Sequence, residues 1–136
     1  MQVTPVIAVH MTAALAALVV GPLALWARQG RATRPMLHRA AGYAWVTLMV
    51  LTALSAVFIR NHQSFNIGGF TWIHLFIPTL LVALFFAFYK LARRDIAAHR
   101  QIMQKTYIGA CVIAGVFTLM PGRYLGHLVW SSVGLI

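Results

Sequence analysis

Four long apolar runs, joined by short polar connections, decide what this chain can become. They cover about Val3 to Ala27, Leu37 to Ile59, Phe70 to Leu91 and Ile102 to Met120. A helix rising 1.5 Å per residue over such a run crosses a hydrocarbon core of about 30 Å. Only 9% of the 136 residues are charged and the mean hydropathy is +0.81. A soluble domain carries about 25% charged residues. Too few remain here to cover a water-facing surface, so lipid is much of the solvent. The length suits one compact unit, residues 1–136.

The charge is one-sided. Eleven Lys and Arg stand against a single acid, Asp95, for a net charge of +10. In a soluble protein that balance points to nucleic acid. Here the cations flank apolar runs, which fits anionic headgroups and excludes a nucleic-acid face. Nine of the eleven fall in or beside the connections after the first and third runs, and only Arg60 and Arg123 lie on the other side. The positive-inside rule then places both basic loops in the cytoplasm and both termini outside, in a multi-pass protein of the inner membrane. Short connections make consecutive helices antiparallel neighbours. The expected fold is therefore all-α: an up-down bundle of four transmembrane helices. No cation precedes the first run, so it reads as a true span rather than a cleaved leader. The lone Cys111 leaves no disulfide and reads as a packing residue.

Local signals refine the spans. His10, Ala13, Ala14, Ala17 and Gly21 share one face of the first helix, where small side chains admit a neighbour closely. Gly21-Pro22 is expected to kink it. Tyr43 and Trp45 near the start of the second run read as an interfacial aromatic belt. The stretch Arg60 to Gly69 reads as an outer turn with a solvated His62, and Lys90 to Lys105 as a second basic segment. Pro121-Gly122-Arg123 ends the fourth run, and residues 124–136 are too short to span and are expected along the outer interface.

The residues that can carry chemistry are histidines, and their pattern occurs twice: an apolar run with an early His, a basic connection, then His-Arg opening the next run. The pairs are His10 with His38-Arg39, and His74 with His99-Arg100. At helical rise, His10 lies about 10 Å and His74 about 6 Å below the outer ends of their helices, while His38 and His99 stand at the inner edge. The result is two tiers about 20–25 Å apart, each with one His from each of two helices diagonal across a four-helix core. Two imidazoles approaching from opposite sides suit a bis-histidine haem iron, giving His10/His74 and His38/His99 as axial pairs for one or two b haems. Arg39 and Arg100 on the inner side and Arg123 on the outer side would meet propionates. Quinone needs only a polar contact or two in an apolar cleft, near either His-Arg pair. Imidazole and thioether also suit copper, which leaves His10, Met11, His74 and Met120 as a metal-binding alternative. A zinc hydrolase lacks its carboxylate, and proton-coupled transport lacks an intramembrane acid.

Two resemblances bear on this pattern. HRAAGYAWV and HRQIMQKTY, followed by FTLMPGR, resemble a bacterial family of small four-helix membrane proteins, domain of unknown function 2306. That likeness covers most of the chain and implies fold and location without an activity. The histidine plan, His10, His38-Arg39, Gly42, His74 and His99-Arg100, resembles b561-type cytochromes. That likeness implies two b-type haems in a four-helix core and electron transfer across the membrane. From a different class comes a haem-free accessory subunit, its histidines hydrogen-bonded packing residues and its first helix a surface for a membrane-protein partner or a second copy.

The topology is open to direct test. A membrane-impermeant thiol reagent applied outside intact cells should label Gln2→Cys and Ser132→Cys and leave Gln29→Cys untouched. Labelling of Gln29→Cys overturns the orientation.

Overall fold

A computed structural model describes residues 4–28, 34–59, 68, 72–120 and 122–136. Arg31, Arg60, His62, Gly69 and Pro121 lie outside the described residues. Among those described, all regular structure is helical.

The N-terminal half is a pair of long helices, α1 (Pro5–Trp26) and α2 (Pro35–Phe58). Each has Pro in its first turn, where the missing N–H would have had no partner. Thr4 caps α1, its hydroxyl accepting from Ile7 N. At 22 and 24 residues, both are long and apolar enough to cross a membrane. Ala13, Ala17, Gly21 and Ala24 form the buried face of α1, and α2 packs along it.

The second half follows the same plan. A 3-10 turn, Trp72–Leu75, leads into α3 (Phe76–Ala92), a shorter apolar helix. Helix α4 (Ile96–Tyr107) returns antiparallel beside it. The turn between them is tight for a reason readable in its hydrogen bonds. Arg94 adopts φ 58°, Asp95 N donates to Lys90 O and Arg94 N to Leu91 O, the left-handed closure that satisfies the last carbonyls of a helix. Asp95 then caps α4 by accepting from Ala98 N. This corrects the expectation that the fourth span begins near Ile102, after the basic segment Lys90 to Lys105. Asp95 starts the helix at Ile96, and the polar stretch becomes its first turns.

The fourth run is also not one regular helix. After α4, residues Ile108–Ile113 form a π-helical segment, and α5 (Ala114–Thr118) completes the run. A short α6 (Tyr124–Ser132) then folds back against the end of α5: Gly126 packs on the Met120 carbonyl and Trp130 Nε1 donates to Leu119 O at 2.7 Å.

The halves meet through α2, α3 and the π segment. Ala17, Trp45, Met49, Ala53, Leu80, Leu84 and Cys111 form the buried core. On α2 the buried apolar residues recur every four positions, Ala41, Trp45, Met49 and Ala53, one stripe of a helix. Trp45 is therefore a core residue, 3% exposed, and not part of an interfacial belt, while Tyr43 stays exposed. Across the core, Trp45 meets Tyr107 with ring centroids 6.4 Å apart, and Cys111 Sγ lies 3.8 Å from Met49 Sδ.

One contact ties the halves by a simple mechanism. Helix α1 continues through Pro22. Proline has no N–H, so the carbonyl four residues earlier, Leu18 O, loses its helical donor. Tyr107 supplies the replacement, its hydroxyl donating to Leu18 O at 3.0 Å. The ring reaches that carbonyl across Gly21, where a Cβ would overlap it. Tyr107→Phe leaves the carbonyl unpartnered and should cost about 1–3 kcal/mol. Gly21→Ala should cost about the same by displacing the ring. Thermal unfolding of the detergent-solubilised protein measures both, and the double variant should lose less than the sum, since both act on one contact.

Histidines anchored to backbone carbonyls

Each of the four candidate histidines hydrogen-bonds a backbone carbonyl of a neighbouring element. His38, on α2, bonds Ala24 O of α1 through Nδ1 at 2.7 Å. His99, on α4, bonds Ala87 O of α3 through Nδ1 at 2.8 Å. His10, on α1, bonds Thr52 O of α2 through Nδ1 at 2.9 Å, with Ser55 Oγ at 3.2 Å. His74, in the 3-10 turn before α3, bonds Ile59 O at the end of α2 through Nε2 at 2.8 Å. The doubled pattern of the sequence is thus a doubled pattern of hydrogen bonds: in each half, the His opening the second helix reaches back to an Ala near the end of the first.

A carbonyl only accepts, so the ring nitrogen facing it carries the proton. His10, His38 and His99 are therefore held as the Nδ1–H tautomer, and His74 as the Nε2–H tautomer. That leaves Nε2 of His38 and His99 with a lone pair and no partner among the described residues. An imidazole fixed through one N–H to a carbonyl, with its other nitrogen available, is the usual state of a metal-ligating histidine. It is equally a way to join two helices where water is scarce.

At the basic end His38 and His99 stand at corresponding heights along their helices. Helices α2 and α4 meet through the rings of Trp45 and Tyr107. Two turns toward the basic end from those residues stand His38 and His99, about 10–12 Å along each axis. Between His38 and Trp45, half-buried Gly42 has nothing within 4 Å of the place a Cβ would occupy, so there is open space on that face. His99 has the Phe88 ring beside it, at 6.1 Å. Arg39 and Arg100 are exposed next to their histidines.

The other end is arranged differently. His10 and His74 lie within electrostatic range of each other. Yet the carbonyls that hold them are seven residues apart on α2, about 10 Å along its axis, and the two rings present opposite nitrogens. Arg123 is exposed at the start of α6. Met11 is half-buried and Met120 exposed. Among the described residues, no three His, Cys, Asp or Glu gather as a metal cluster.

Sequence reasoning did not single out Thr52 and Ser55, which anchor His10, or Tyr107. A signal for Tyr107 was available: an interior Pro22 requires a replacement donor for Leu18. Two outward grooves also stand out, about 350 Å³ between α1 and α2 and about 260 Å³ between α3 and α4. Neither is lined by a His-Arg pair.

Residues 7–127 match the family model described as "Predicted membrane protein (DUF2306)". No curated protein and no solved structure shows a significant match to the chain.

The anchoring bonds predict a measurable cost. His38→Ala and His99→Ala should each destabilise the haem-free protein by about 0.5–2 kcal/mol, the range for interhelical bonds in membranes. His127→Ala, on an exposed position of α6, should change it by less than about 0.5 kcal/mol. Chemical denaturation in mixed micelles resolves the difference.

Proposed function

The chain belongs to the family of predicted membrane proteins matched over residues 7–127, and from its histidine arrangement we propose that it is a b-type haem protein moving electrons within or across the bilayer. The proposal includes four spanning helices, both termini outside and both basic connections in the cytoplasm. Quinone or a cytoplasmic donor would supply the electrons, and an acceptor on the outer side would take them.

The observation that carries this reading is the matched pair at the basic end. His38 and His99 occupy corresponding places in the two helix pairs, each with Nδ1–H on a carbonyl and Nε2 uncommitted among the described residues. These two would hold a haem, with Arg39 and Arg100 pairing with its propionates. A haem iron bound there would supply one-electron redox chemistry. The Ala24 and Ala87 carbonyls would fix ring orientation, which removes an ordering cost from ligation and raises imidazole basicity. His10 and His74 form the second candidate pair, less ready as held here because they are anchored at different heights.

The same four carbonyl bonds support a second reading, a haem-free accessory subunit in which the imidazoles are interhelical clamps. His74 favours it most, since its Nε2 is already spent on Ile59 O.

The reduced-minus-oxidised visible spectrum of protein purified after expression with ample haem separates the two. The haem reading expects a b-type α band, with His38→Ala and His99→Ala each removing one haem per chain while the protein still inserts. A wild-type protein without any haem absorbance gives the accessory reading instead.

A further inference from the structure

The α3–α4 groove contains a charge the electron-transfer reading does not use. The groove is lined by Phe76, Thr79, Ala83, Lys105, Thr106 and Gly109 among others. Helices α3 and α4 run antiparallel with His99 on Ala87 O. Six residues further along α4, Lys105 therefore stands level with about Leu81, near the middle of α3. Lys105 is exposed there, on an outer face whose other lining is almost wholly apolar. A cation at that depth requires a counter-charge.

The chain cannot provide one. Its only acid, Asp95, lies ten positions earlier and accepts from Ala98 N as the helix cap. The same holds for a second copy, whose Asp95 would sit at the same height. The hydroxyls in the groove are committed as donors to their own helices, Thr79 to Leu75 O and Thr106 to Ile102 O, each at 2.7 Å. The Lys105 ammonium is thus the hydrogen-bond donor the groove has to offer, and it calls for an anion.

Side-chain direction tells where that anion lies. A helical Cα–Cβ bond tilts toward the helix N-terminus, which for α4 is the basic end with Arg93, Arg94 and Arg100. Lys105 lies about 13 Å along the axis from Ile96. Its four-carbon stem brings the ammonium about 5–6 Å back toward that end, as snorkelling lysines do. That leaves the ammonium about 8 Å along the axis from Ile96, on the headgroup side of the groove, with exposed Gln101 one turn nearer that end. In the opposite direction the groove continues past Leu80, Gly109 and Phe76 with mostly apolar walls. Gly109 has nothing within 4 Å of the place a Cβ would occupy, and there the π-helical segment opens. A phosphate at one end and an acyl chain along the other is the chemistry of one occupant.

We infer that the α3–α4 groove is a binding site for an anionic phospholipid, with Lys105 pairing with the phosphate and an acyl chain lying between Phe76 and Gly109.

Native mass spectrometry of the detergent-solubilised full chain tests this, with equimolar phosphatidylglycerol and phosphatidylcholine of identical acyl chains. The wild type should retain phosphatidylglycerol about five-fold over phosphatidylcholine, the factor one lysine supplies near an anionic surface. Lys105→Gln, an exposed change that leaves the helix intact, should bring the ratio to about one, and Lys105→Arg should restore it. Gly109→Leu should reduce retention of both lipids by filling the groove. Arg93→Gln, in the turn, should keep the preference. An unchanged preference in Lys105→Gln, an equal loss in Arg93→Gln, or no preference in the wild type overturns the site. Haem content is read separately from the visible spectrum, so failure here leaves the electron-transfer reading intact.

Discussion

In hydrocarbon a backbone carbonyl without a helical donor must find one inside the protein. Much of this molecule is organised around meeting that demand with side chains. Pro22 strips Leu18 O of its donor and Tyr107 replaces it. The end of α1 leaves Ala24 O to His38, and the end of α2 leaves Ile59 O to His74. Each of these bonds runs between helices, so satisfying the backbone also fixes helix position. Lipid offers no hydrophobic drive between spans, which gives such polar links more of the work of holding the bundle than they would have in water.

The consequence for function is that the imidazoles are oriented before any ligand arrives. A carbonyl fixes which nitrogen bears the proton and turns the other nitrogen elsewhere. At the basic end that happens twice in corresponding places, on α2 and α4, about two turns from the contact of Trp45 with Tyr107. At the other end two histidines lean on the same helix, α2, at different heights. A repeated hairpin plan therefore does not yield two equivalent sites. The asymmetry arises because His74 lies in a 3-10 turn ahead of α3, whereas His10 lies within α1.

The long spans were legible because hydropathy over twenty residues outweighs local detail: α1 and α2 fall close to their apolar runs. The start of α4 was not, since Ile96 to Lys105 is polar and a single cap, Asp95, decides where the helix begins. The π segment was hidden too, because a shift to i→i+5 bonding leaves no mark in composition. Trp45 near a helix start resembles a belt residue, and only its four-residue spacing with Ala41, Met49 and Ala53 indicates the core. The histidines were visible as a doubled pattern, but their carbonyl partners were not, because a carbonyl has no residue type.

The tautomers of the histidines test this account most directly. Site-assigned ¹⁵N solid-state NMR of the haem-free protein in bilayers at pH 8 distinguishes a protonated from an unprotonated ring nitrogen. Carbonyl anchoring predicts the Nδ1–H form for His10, His38 and His99, and the Nε2–H form for His74. The Nε2–H form at His38 and His99 would contradict it, because Nδ1 would then have no proton to give to Ala24 or Ala87.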